Sequence, residues 1–292
     1  MNTGRLIFLT LSSLVFSCQP PSKSEGSLTE TDQRINTFHI FNPNGQTINE
    51  RFNPPDGFMR TKEDSGSFAT YLRTLPLKPN GSLVHTYDGY IKDSTDVYVA
   101  VVDMDIGNKD LQQCADIVMR LKAEYLYRNK DYERIHFNFV NGFNAEYAKW
   151  AEGYRIKIQG NNTWWVQTAD PGVDYESFQK YLEWVYMYAG TASLWKELIP
   201  ISDLKEIKIG DIFITGGSPG HAVIVVDLSV NHQTGDKAYI LAQSYMPAQE
   251  IQILINRGNH SISPWYLVSE VKDILWTPEW TFPVEQLMRF PE

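Results

Sequence analysis

The chain is short of cysteine, of positive charge and of long apolar runs, and each shortage closes off a class of function. Cysteine occurs twice in 292 residues, at Cys18 and Cys114. Cys18 ends an apolar leader, so Cys114 has no intrachain disulfide partner and is a candidate reactive thiol. No run of Lys or Arg interrupts an acidic balance of 26 basic against 35 acidic residues, a formal charge of −9. Nucleic acid, whose phosphates demand cations, is excluded as a partner, and so is an anionic lipid surface recognised by charge. The apolar stretch Leu6 to Phe16 falls short of the roughly 20 residues that a spanning helix needs. His39, His85, His136, His232 and His260 show no ligand spacing, and no calcium-loop pattern surrounds Asp103 and Asp105, so no metal and no cofactor are expected. The chain also lacks an internal repeat. Aromatics are plentiful by contrast (8 Trp, 16 Tyr, 14 Phe), which suits a packed globular fold.

The amino terminus has the grammar of an export signal. Met1 to Arg5 carries one positive charge, Leu6–Phe16 is apolar, and Leu14-Val15-Phe16-Ser17-Cys18 closes the segment. That closing run resembles the lipobox of bacterial lipoproteins. The resemblance implies cleavage before Cys18, lipidation of Cys18 and a membrane-anchored place in the cell envelope. Gln19 to Asp32 is polar and rich in Ser, Pro and Glu, a composition that cannot bury a core. The expected organisation is a signal peptide over 1–17, a flexible tether over 18–37 and a single domain over 38–292.

Within that domain, positions 114, 118, 121 and 125 form an apolar stripe at helical spacing. The stripe predicts a helix from Leu111 to about Tyr127, with Asp110 and Gln113 as a capping box. A second helix is expected from Tyr175 to about Leu198. Strands are expected at 83–91, 97–104, 135–140, 154–159, 164–168, 212–215, 221–227, 239–245 and 251–254. Helix first and antiparallel strands later is the order of an α+β fold.

Three residues at the borders of these elements share a chemistry. Cys114 opens a helix, whose partial positive charge favours a thiolate. His221 opens a strand, and an imidazole in reach of a thiol can take its proton and return it to a leaving group. Gln243 lies on the next strand, where a neutral amide can hold the ring in one orientation.

Gly220-His-Ala-Val-Ile-Val-Val226 followed by Tyr239-Ile-Leu-Ala-Gln-Ser-Tyr245 is similar to the His and Asn strands of papain-like cysteine peptidases. Gly210-Asp211 followed by Gly220-His221 resembles the matching segment of NlpC-type and CHAP-type cell-wall amidases. The likeness implies a papain-like core in which a helix carrying cysteine packs on an antiparallel sheet. It implies Cys114 as nucleophile, His221 as base, Gln243 as orienting residue and Tyr245 as the aromatic shield. Gln113 is a candidate oxyanion or cleft residue. Gln112-Gln113-Cys114-Ala115-Asp116 lacks the Gly/Ser/Trp-rich surroundings of those families' cysteine.

Leu111–Asp116, Ser218–Ala222, Gln243–Gln249 and Ser263–Tyr266 further resemble blocks of a bacterial lipoprotein family known as a domain of unknown function (4846). That likeness implies no activity. Two functional expectations therefore stand. One is a thiol-dependent amide hydrolase acting on peptidoglycan or another envelope peptide. The other is a non-catalytic binding or assembly protein on the same scaffold, with Cys114 a small buried hydrophobe. Of the neighbours Trp164 and Trp165, strand alternation allows one at most to line a sugar-binding cleft.

Overall fold

The computed structural model describes Met1 and residues 40–291. The expected signal peptide, the expected lipidation site Cys18 and the expected tether lie outside the described residues, apart from Met1. Among the described residues no helix is long and apolar enough to cross a membrane.

The architecture is mixed α+β around an antiparallel sheet. Its path runs Tyr98–Val101, Gln252–Leu254, Lys237–Gln243, His221–Val230, Ile212–Thr215, Leu287–Arg289, Ile199–Pro200. Two short strands, Met59–Arg60 and Tyr266–Leu267, pair with the central pair off this path. The middle of the sheet is the strand His221–Val230, called here the His strand, beside Lys237–Gln243, the Gln strand. From His221 to Ser229 every residue of the His strand is buried. A strand covered on both faces reads as a continuous apolar run rather than an alternation, and Ala222-Val-Ile-Val-Val226 is such a run. The helices Phe68–Arg73 and Cys114–Arg128 both pack against it. Asp227 enters this dry layer only because Arg60 (2.7 Å) and Arg73 (2.6 Å) neutralise its carboxylate.

The chain between the two halves of the sheet builds a helical side wall. Tyr175–Tyr188 and Thr191–Glu197 are separate helices, where one continuous helix to Leu198 was expected. The break falls at Ala189-Gly190, and Gly190 Cα carries no side chain to hold the turn in helical register. Aromatic rings of the first of these helices interlock with the Cys114 helix side of the core, with Tyr127 stacked on Phe178 at 4.2 Å between centroids. The expected strand over 83–91 is instead a turn held by isolated bridges, His85 to Ile91 and Thr86 to Gln249. Trp165 packs on Phe143 at 5.5 Å, while Trp164, its neighbour on the opposite face, is exposed.

Candidate active site

The long helix spans Cys114–Arg128, three residues later than the apolar stripe predicts. Asp110 does not cap it, because Asp110 Oδ1 accepts from the Ala248 N–H (2.7 Å) and from Gln113 Nε2 (3.1 Å). Gln113 is the N-cap residue, in extended backbone, and Asp116 at the third helical position accepts the Gln113 N–H at 2.9 Å. Cys114 is thereby the first helical residue rather than one turn inside, at the positive end of fifteen aligned peptide dipoles. The far end is closed by Lys130 in the left-handed region (φ 57°). Hydrogen bonds from Lys130 N to Tyr127 O (2.9 Å) and from Asp131 N to Leu126 O (3.0 Å) complete that stop.

Cys114 and His221 line one cleft of about 480 Å³. Gln113, Asp116, Tyr186, the 189–192 break, the Gly217–Gly220 turn, Tyr245, Met246 and Trp280 complete it. The side-wall break thus has a use: it opens space beside the thiol. Gly220 has to be glycine for a steric reason, since a Cβ there would meet Gly217 O at 2.5 Å and Thr215 O at 2.8 Å.

His221 is 1 % exposed and its Nε2 lies 2.9 Å from Gln243 Oε1, so the two sequence-nominated strand residues do meet. The Tyr245 ring lies beside the imidazole at 4.9 Å between ring centroids, tilted by 59°. Trp280 (5.4 Å) and Phe282 (5.9 Å) cover the rest of the ring. This enclosure pushes the imidazole down to about 4, with Lys92 adding to the effect and the Gln243 bond opposing it. Burial pushes the Cys114 thiol up to about 11, and the Asp116 charge adds to it. The N–H groups of Ala115, Ala222 and Cys114 itself pull the other way. Ala222 follows His221, so the sulfur reaches the beginning of the His strand. The resting pair is therefore a neutral thiol and a neutral imidazole. Among the described residues no hydrogen bond joins them.

Residues 48–289 match the domain of unknown function (4846). The chain belongs to that family. No curated protein and no solved structure matches it.

This family member carries polar groups around the cleft that spacing alone did not reveal. Glu279 Oε2 accepts from Gln243 Nε2 at 2.5 Å, and Lys92 Nζ reaches both Glu279 oxygens at 2.8 and 2.9 Å. Lys92 also donates to Gln249 Oε1 at 3.0 Å, which gives buried Gln249 a structural partner. Behind the helix start lies a second group. Asp116, pushed up to about 8 by burial, has Oδ1 without a partner, as has the Tyr186 hydroxyl. Gln112 is turned away from the cleft, its Oε1 accepting from Arg120. No sequence signal tied residues 92 and 279 to position 243. They lie 151 and 36 positions from it and come from loops.

Proposed function

We propose that this protein is an exported, lipid-anchored thiol hydrolase with a papain-like core, cleaving an amide of peptidoglycan or another envelope peptide. One observation carries the reading: Cys114 at a helix N-terminus opens on the same cleft as His221, and His221 Nε2 is already committed to Gln243 Oε1. An imidazole that gives its Nε2 proton to an amide oxygen keeps Nδ1 as a bare acceptor. That is the state a general base needs.

In this reading the Cys114 thiol gives its proton to His221 Nδ1 as the sulfur attacks the amide carbonyl carbon. The tetrahedral intermediate collapses with loss of the amine, which takes the proton from Nδ1. Water then attacks the thioester, again through Nδ1, and restores the thiol. The N–H groups that open the helix favour negative charge at the reacting carbonyl oxygen and at sulfur. Gln243 keeps the ring from rotating through both proton transfers. The apolar leader, Cys18 and the polar stretch after it support an envelope setting for this chemistry, where peptide amides are abundant.

The test uses the full chain carrying Cys18→Ser, in which Cys114 is the single thiol. Its alkylation by iodoacetamide is followed against pH beside His221→Ala. A base-assisted thiol should react at a rate nearly flat from about pH 5 to about pH 9. The variant should instead rise about tenfold per pH unit, as thiolate alone does. Two superimposed profiles would sink the hydrolase reading and leave Cys114 a core residue.

A further inference from the structure

The hydrogen-bond chain behind His221 has a direction, and its direction is set at the far end. Lys92 Nζ can only donate. It spends its donors on both oxygens of Glu279 and on Gln249 Oε1. The Glu279 carboxylate, ion-paired to it, can only accept. Gln243 stands between this acceptor and the imidazole, and its amide has one end of each kind. With Glu279 taking Nε2 at 2.5 Å, the amide has to turn Oε1 toward His221. An oxygen there accepts, so His221 Nε2 has to carry the hydrogen.

We infer that Glu279, held by Lys92, is the positioning residue that fixes the His221 tautomer through Gln243. The geometry explains why a neutral amide suffices at position 243. Gln243 has no preference between its two ends, and the preference comes from a carboxylate one bond further out. All three partners are shielded: Gln243 is 0 % exposed, and the Lys92 and Glu279 side chains are 7 % and 15 % exposed. Water therefore competes weakly for these bonds. The inference deepens the proposed thiol chemistry, because a proton on Nδ1 would leave the base unable to receive one.

Glu279→Gln reverses the chain by donor arithmetic. Lys92 would take the one oxygen of the new amide and leave its NH2 facing Gln243. Gln243 would then flip, offering its own NH2 to His221 Nε2, and the imidazole proton would move to Nδ1. The experiment is nitrogen NMR of the full chain with Cys18→Ser and 15N-labelled histidine at about pH 7, the His221 signals being assigned by their loss in His221→Ala. The native protein should show the Nε2–H form alone. Glu279→Gln should show the Nδ1–H form and lose His221-dependent alkylation by about tenfold or more. Glu279→Asp, which still only accepts, should restore the Nε2–H form. An unchanged Nε2–H tautomer in Glu279→Gln would overturn the inference. Should the Gln variant fail to fold, Glu279→Asn against Glu279→Asp gives the same contrast with a shorter arm. The tautomer is read without any activity, so the two ideas fail separately. A tautomer switch with no His221-dependent alkylation in the native chain would uphold Glu279 and reject the hydrolase.

Discussion

Replacing Asp116 by asparagine should flatten the pH dependence of stability and strengthen the protein in mild alkali. Asp116 is 6 % exposed, and burial pushes its carboxyl from an ordinary 3.8 up to about 8. The folded protein therefore keeps a proton that the unfolded chain gives up near pH 4. Stability is fully present below that pH and is lost as pH rises through the folded value. About four pH units at 1.36 kcal/mol each make the total loss roughly 5 kcal/mol. Asparagine cannot ionise but still offers an oxygen to the Gln113 N–H that starts the helix. Urea unfolding of both chains at about pH 5 and about pH 8.5 isolates this term, since the other titrating groups are common to both. The gap in favour of Asp116→Asn should widen by roughly 4 kcal/mol between those two pH values. The same change removes the charge that helps hold the Cys114 thiol high, so alkaline alkylation should also quicken. Parallel stability curves for the two chains would show that Asp116 is ionised at neutral pH, and the account of a dry, neutral cleft wall would fall.

Two further substitutions probe the frame of the site. Asp227→Ala removes the carboxylate that Arg60 and Arg73 share in the layer that supports the His strand, and should cost roughly 3–5 kcal/mol in urea unfolding; a loss below about 1 kcal/mol would mean that the acceptors the two guanidinium groups already hold, Phe52 O for Arg60 and Thr61 O and Leu228 O for Arg73, suffice. Gly220→Ala sets a methyl against Thr191 Oγ1 and two backbone carbonyls immediately before His221. A cost of about 1–3 kcal/mol is expected, with slower His221-dependent alkylation; native values for both would show that the turn can move aside.

The sequence makes several strands readable because they obey local rules. The strands at Ile212–Thr215 and Tyr154–Gln159 lie where their apolar patterning and bounding turns put them. The α+β order and the meeting of His221 with Gln243 follow from the same strand patterns. The helix start was missed because two caps compete. Asp110 has the spacing of a cap, but it binds Ala248 from 138 positions away, so Gln113 becomes the N-cap and Asp116 its partner at the third helical position. The same non-local logic hides Glu279, Lys92 and Trp280. Each sits in a loop with no periodicity to announce it, and each acts only where the chain returns to the sheet. The strand expected over 83–91 failed for a related reason: it presents Lys92 to Glu279 instead of a ladder to a neighbour.

Burial of the thiol and the imidazole narrows the proposed chemistry. With the thiol near 11, only about one molecule in ten thousand is a thiolate at pH 7, so a route that waits for free thiolate is slow. With the imidazole near 4, nearly every molecule at that pH carries a neutral base. A path that moves the proton during attack draws on the abundant neutral forms of both partners, and its rate has no reason to change between those two values. A path through free thiolate climbs across the whole interval. Burial thus does not by itself demote Cys114 to core packing. Within the proposed chemistry it disfavours the free-thiolate route and favours base-assisted attack, which is why the shape of the pH profile decides the matter where a single rate at neutral pH would not.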